Sequence, residues 1–253
     1  MSFTAEVKDE LARVPPTCSH CEKATLAALV RIEGTLFFSG QGTYRIEIAT
    51  DVPSVARLII KLLHELYHLK TELTVRRSVL HKTPNYLIEV PAQPDLADAL
   101  RDMGVLSEEG GLELGIKEGL VAKECCTAAY LRGAFLGSGF VSDPRGDFHL
   151  EIAVQGEELA QAIAGLIGEI GIHARVNRRK LSYAVYVKSG DDVRDLLEAV
   201  GATRSVRALD DARAMKSVKN EVNRKVNAEL ANQTRSAGAA QRQLELIAEA
   251  EAR

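Results

Sequence analysis

The chain says nearly the same thing twice. Leu26-Ala-Ala-Leu-Val-Arg-Ile-Glu33-Gly34 returns about a hundred residues later as Leu131-Arg-Gly-Ala-Phe-Leu-Gly-Ser138-Gly139. The stretch after each copy also repeats: Tyr44, Ile46 and Ile48 align with Phe148, Leu150 and Ile152, and Tyr86 and Val90 align with Tyr183 and Val187. Two copies of one unit imply a pseudo-twofold domain with something shared at its axis. The copies differ in the residue before the final glycine, Glu33 in the first and Ser138 in the second.

Within each copy the apolar spacing alternates between helical and strand periods. Residues 22–34 read as a helix, and small residues (Ala27, Ala28, Gly133, Ala134, Gly137) permit close helix–helix approach. Two strands come next, turned by Gly40-Gln41-Gly42. Pro53 opens a helix whose apolar stripe is Val55, Leu58, Ile59, Leu62, Leu63 and Leu66. Two more strands, 73–80 and 86–90, are separated by Lys82-Thr-Pro84-Asn85. A short helix capped by Asp95 ends at Gly104. The second copy repeats this order, and its last helix, starting at Asp191 or Asp192, stops at Gly201. The expected fold is α+β, a pseudo-twofold repeat of αββαββα units followed by a helical C-terminal segment. The expected domain spans residues 1–203, with repeat one at 21–104, a connector at 105–124 and repeat two at 125–201. Residues 204–253 are expected to be a helical linker and the start of a truncated DNA-binding domain.

No apolar run approaches the length of a membrane span, and the charged N-terminus is unlike a signal peptide, so the cytoplasm is the expected compartment. A net charge of −3 is not that of a protein that coats nucleic acid, so any DNA contact must come from a local patch. Such a patch exists near the end. Between Arg204 and Arg235 stand eight basic and four acidic residues. Arg207, Arg213, Lys216, Lys219, Arg224 and Lys225 are the candidate phosphate contacts. The competing reading is a solvated helix laced with i,i+4 ion pairs. The outward strand residues Arg45, Glu47, His149 and Glu151, with Arg76, Arg175, Arg179, Lys188 and Glu89, mix signs and do not make a phosphate-tracking saddle.

The cysteines are four: Cys18, Cys21, Cys125 and Cys126. Cys18-Ser-His20-Cys21 has the two-residue spacer of zinc sites, and Cys126 is the repeat equivalent of Cys21. If the two motif helices pack side by side, these residues approach each other as a zinc site, with His20 a further candidate. The alternative is small, partly buried thiols near helix starts. Adjacent cysteines are awkward ligands for one ion, so the sequence reading assigns neither metal nor cofactor. His64-Glu65-Leu66-Tyr67-His68 matches the spacing of a zincin helix. Its only candidate third ligand is His81, and the histidines also suit a helix C-terminus.

Two Leu-x-Gly-like motifs heading αββαββα units resemble the LAGLIDADG homing endonucleases. That resemblance implies two motif helices packed at the pseudo-dyad, each presenting an acid to a catalytic metal over DNA. Carried over by position, the acids fall on Glu33 and Ser138. A serine is a poor substitute for a carboxylate where two divalent ions must be clamped, so these are vestigial positions and the chain is expected not to be an enzyme. Arg31 and Arg132 are the candidate partners for Glu33.

A closer likeness covers essentially the whole chain. Ser2-Phe-Thr-Ala-Glu-Val-Lys-Asp-Glu-Leu11, Cys21 to Leu26, Cys125-Cys126 with Tyr130-Leu-Arg-Gly-Ala-Phe-Leu136, Asn223-Arg224 with Asn227, and Ala239-Ala-Gln-Arg-Gln-Leu-Glu-Leu-Ile247 resemble the WhiA family of sporulation and cell-division regulators. The resemblance implies a degenerate LAGLIDADG domain tethered to a C-terminal helix-turn-helix, with roles in transcription, cell division and chromosome segregation. It implies DNA as a partner, mainly through a helix-turn-helix not present in this chain, together with a regulatory protein or the transcription machinery at the nucleoid. An active metal-dependent endonuclease or nickase using Glu33 is the alternative, and a pure protein-interaction scaffold is a third reading.

Overall fold

A computed structural model describes residues 2–40, 42–77 and 84–251. A short helix α1 (Phe3–Leu11) precedes the first repeat, which runs α2 (Cys21–Glu33), β1 (Gly34–Phe38), β2 (Tyr44–Thr50), α3 (Pro53–Tyr67), β3 (Glu72–Arg77), β4 (Pro84–Val90) and α4 (Leu96–Asp102). The second repeat runs α5 (Glu124–Ser138), β5 (Gly139–Val141), β6 (Leu150–Val154), α6 (Glu157–Glu169), β7 (Arg175–Arg178), β8 (Tyr183–Val187) and α7 (Gly190–Val200). A 49-residue helix, α8 (Thr203–Glu251), completes the order. The α+β class and the doubled αββαββα order are those the sequence predicts.

Each repeat forms its own antiparallel four-stranded sheet, ordered β1-β2-β4-β3 and β5-β6-β8-β7. The registers match residue for residue with the alignment of the two copies. Gly34 faces Ile48 as Gly139 faces Ile152, and Thr50 faces Tyr86 as Val154 faces Tyr183. Register follows from period-two patterning, because a slip of one residue would turn Ile46, Ile48, Ile88 and Val90 out of the core. Those residues lie beneath α3, whose Val55, Ile59, Leu62 and Leu63 are buried.

At the centre α2 packs along α5. The small residues make this approach feasible. A Cβ on Gly133 would lie 2.3 Å from the Thr25 carbonyl oxygen, and Thr25 Oγ1 donates across the helix pair to the Ala129 carbonyl at 3.1 Å. Only glycine fits such backbone-to-backbone contact.

Local details depart from the sequence reading. The last helix of repeat two starts at Gly190, earlier than the aspartates, because Ser189 accepts from the Asp192 N–H as N-cap. Asp95 sits at the start of α4 but makes no side-chain cap. His68 is not on α3 at all. It is the left-handed C-cap (φ 54), and His64 Nε2 bonds Thr71 Oγ1 at 2.9 Å. Spacing alone therefore misplaces the second histidine of the zincin-like run. The candidate third ligand, His81, the tip of the strand predicted to reach Leu80 and part of the turn through Lys82 lie outside the described residues, as does Gln41. The connector carries a bridge between Leu106 and Leu112 and a 3-10 turn at Glu118–Leu120, with Val105, Leu106 and Leu120 buried.

The chain divides into two compact units, one up to Ala208 and one from Leu209 onward. In the first, Glu10 of α1 caps the beginning of α8. Its carboxylate accepts from the Arg204 N–H at 2.6 Å, the Ser205 N–H at 3.0 Å and the Ser205 hydroxyl at 2.6 Å.

Candidate functional site

The two motif helices end side by side. Glu33 is the last residue of α2 and Ser138 the last of α5. Gly137 lies against Glu33: a Cβ added there would sit 3.2 Å from the Glu33 Cγ. The structure thus brings together the two positions that the repeat singles out.

Their chemistry is unequal. The Ser138 hydroxyl donates to the Ala153 carbonyl of its own sheet at 2.5 Å, so it is directed to the backbone. Glu33 is half-buried. Burial pushes its carboxyl above the usual range, the Lys8 ammonium pulls it down, and Asp51 pushes it up again. Lys8 is itself buried, reaching in from α1, and its Nζ donates to the Gly137 carbonyl oxygen. Burial lowers the Lys8 pKa against the attraction of Glu33 and Asp51. The positive charge beside Glu33 is therefore a lysine.

Neither arginine expected to pair with Glu33 is placed to do so. Arg31 donates to the backbone carbonyls of Glu113 and Leu114, and Arg132 Nε donates to the Val200 carbonyl at 2.7 Å. Both helix arginines are drawn to loop and helix-end carbonyls instead, which satisfies those acceptors.

These residues do not fit a two-metal cleavage site. Such a site needs carboxylates from both helices to hold two cations against developing phosphoryl charge. Here one position offers a neutral oxygen already donating to backbone, and the other sits beside a buried ammonium.

Sequence reasoning missed Lys8. It lies outside both repeats, so no alignment of copies exposes it. The available signal was helical phase: Lys8 shares a face with Thr4 and Leu11, and Thr4 Oγ1 bonds Val141 of repeat two in both directions, at 2.8 and 3.1 Å.

The outward strand faces carry mixed charges, some of them paired and others, Arg76, Arg175 and Lys188, without an ion pair among the described residues. Arg45 pairs with Glu47 and, at 3.0 Å, with Glu89. Glu151 accepts from Arg179 at 2.7 Å and bonds His149 at 2.9 Å.

At the opposite end of the motif helices lie the cysteines. Cys21 begins α2, Cys125 and Cys126 lie in the first turn of α5, and Cys18 precedes α2 by one turn. Cys18 Sγ lies 3.4 Å from Cys21 Sγ, 3.6 Å from Cys125 Sγ and 3.7 Å from Cys126 Sγ. The four sulfurs all fall within 4.8 Å of one another. His20 Nδ1 stands 3.9 Å from Cys18 Sγ.

In the tail unit and the start of α8, Arg207, Lys219, Arg224 and Lys225 are exposed, while Arg213 and Lys216 are half-exposed. Lys225 pairs with Glu221 at 2.8 Å in an i,i+4 bridge. The same helix exposes an apolar stripe that a count of basic residues overlooks: Met215, Val218, Val222, Val226 and Leu230, in steps of three or four.

Comparison with known proteins agrees with this geometry. The WhiA N-terminal LAGLIDADG-like domain matches residues 19–106, and the WhiA LAGLIDADG-like domain matches residues 127–219. "Probable cell division protein WhiA" of Desulforamulus reducens is 41% identical over 249 residues, covering 98% of this chain and 77% of that protein. Its namesake in Heliobacterium modesticaldum is 38% identical over 248 residues, covering 98% and 78%. Among solved structures, full-length DUF199/WhiA from Thermotoga maritima superposes with a TM-score of 0.70 at 23% identity, covering 94% of this chain and 75% of that one. I-DmoI in complex with DNA and manganese superposes at 0.51 and 15% identity, covering 72% and 97%.

Proposed function

The chain belongs to the WhiA family, and from that premise we propose that it is a DNA-binding transcriptional regulator acting in cell division, chromosome segregation or sporulation, whose nuclease-like domain no longer cuts DNA. The observation that carries this reading is the unequal centre. Opposite Glu33 stands a serine donating to backbone, and Lys8 holds the only nearby positive charge among the described residues. The mixed charges of the sheet faces, with Glu89 on Arg45 and Glu151 on Arg179, favour a surface for protein contact over one that tracks phosphates. The partner is then a regulatory protein or the transcription machinery. DNA contact is assigned to the basic segment of α8 and, chiefly, to a helix-turn-helix outside this chain. Such a protein would work at the nucleoid, and among the described residues no helix is long and apolar enough to cross a membrane.

The test is incubation of supercoiled plasmid with magnesium or manganese. The expected result is no nicking or linearisation. Cleavage that disappears in Glu33→Gln would restore the endonuclease reading. Binding is tested separately by titrating DNA over a series of salt concentrations. Alanine at Lys219 or Arg224 should weaken binding equally across sequences and lower the salt slope by about 1 for each phosphate released. An unchanged slope would remove α8 from the DNA interface.

A further inference from the structure

We propose that Cys18, Cys21, Cys125 and Cys126 bind one structural zinc ion that joins the two repeats at the N-terminal ends of their motif helices. Sulfurs placed about 2.3 Å from a central zinc in a tetrahedron lie about 3.8 Å from each other. The three separations from Cys18, 3.4, 3.6 and 3.7 Å, are close to that edge, and all six separations lie within 4.8 Å. They are far beyond a covalent sulfur–sulfur bond of about 2.05 Å, and all four cysteines are free. The vicinal pair is thus no obstacle: the first turn of α5 directs both sulfurs to the same point as the Cys-x-x-Cys turn.

The surroundings suit thiolates. The starts of α2 and α5 meet here, and neither N-cap residue, His20 or Lys123, supplies a side-chain cap. Helix N-termini favour negative charge and thiolate formation. Four sulfurs this close cannot all ionise unless a cation joins them. A divalent ion resolves the conflict, with the displaced thiol protons released to solvent. Four protein ligands leave no open coordination position, so the role is structural and not catalytic.

The test uses the full chain purified under reducing conditions without added chelator. About one zinc per chain is expected, with the four thiols protected from a thiol reagent until a strong chelator is added. Cobalt(II) added to the stripped protein should give the intense ligand-field and sulfur-to-metal charge-transfer bands of a tetrahedral thiolate site. Cys18→Ser should weaken metal binding by more than the roughly tenfold to hundredfold typical of losing an outer-shell partner. The cobalt spectrum of the unaltered chain keeps the test valid should that variant fail to fold. Bound iron with acid-labile sulfide, or thiols equally reactive with and without zinc, would overturn the assignment.

Discussion

The two ends of the central helix pair carry different chemistry. At their N-terminal ends each repeat contributes two thiols, of which only Cys21 and Cys126 are repeat equivalents, and all four converge on one point. At their C-terminal ends they contribute an acid and an alcohol, with a lysine from outside the repeats beside the acid. The scaffold is the same at both ends, and the close packing of Gly133 on Thr25 holds them in one register. Both halves contribute like groups where the chemistry would join them, and unlike groups where a nuclease would act on a substrate.

The largest expected effect tests the matched end. Stripping zinc with a chelator should lower unfolding stability by about 4 kcal/mol relative to protein in thousand-fold excess of free zinc over its Kd. Thermal unfolding with and without chelator measures this, and identical midpoints would leave the thiols as mere packing. Next is the contact on which both ends depend. Gly133→Ala should cost about 3 kcal/mol, since the new methyl meets a backbone oxygen that cannot yield. Gly137→Ala brings its methyl to 3.2 Å from the Glu33 Cγ and from the Cγ2 of the stiff, β-branched Ile32, and the helix-propensity gain of about 1 kcal/mol should offset part of that strain. Urea denaturation of the two variants would reveal whether the helix pair is tightest in the middle; equal losses would place the tight contact elsewhere.

The unequal end yields smaller effects. Lys8→Met should cost about 2 kcal/mol by leaving the Gly137 carbonyl unpaired. Adding Glu33→Gln should recover part of that loss, because the isolated carboxylate is removed with it. Strict additivity of the two changes would mean that Lys8 and Glu33 do not interact. The last effect is a pH signature. Burial holds the Glu33 pKa above its ordinary value near 4.5, so folding favours the protonated acid. Its contribution is fully present below that ordinary value and is lost as pH rises through the higher folded value. Glu33→Gln should lack this decline, and the difference between the two stability–pH profiles isolates it. Parallel profiles would place Glu33 in contact with water.

Much of this was legible in the residues. The repeat gave each copy the same alternating strands, with Ile48 and Ile152 at equivalent positions, and the structure pairs them in the same register. It also placed Glu33 opposite Ser138, and it put the cysteines of both copies before the motif helices. Less legible was anything without a counterpart in the other copy. Lys8 has none, and a buried lysine in a short helix looks like any surface lysine until its neighbours are known. His68 was misjudged because the sequence spacing fits a helix that in fact ends one residue sooner, in a left-handed cap. The cysteine geometry was undervalued for a related reason: sequence adjacency looks restrictive, but the first turn of a helix can point consecutive side chains at one target.

Helix α1 gives two of these observations a common mechanical basis. Lys8 faces the centre of the pseudo-dyad, and two residues on Glu10 clasps the first backbone amides of α8. Two positions in one rigid turn cannot be moved separately. A change that displaced Lys8 would disturb, through the same short helix, the clasp that Glu10 keeps on the Arg204 and Ser205 amides.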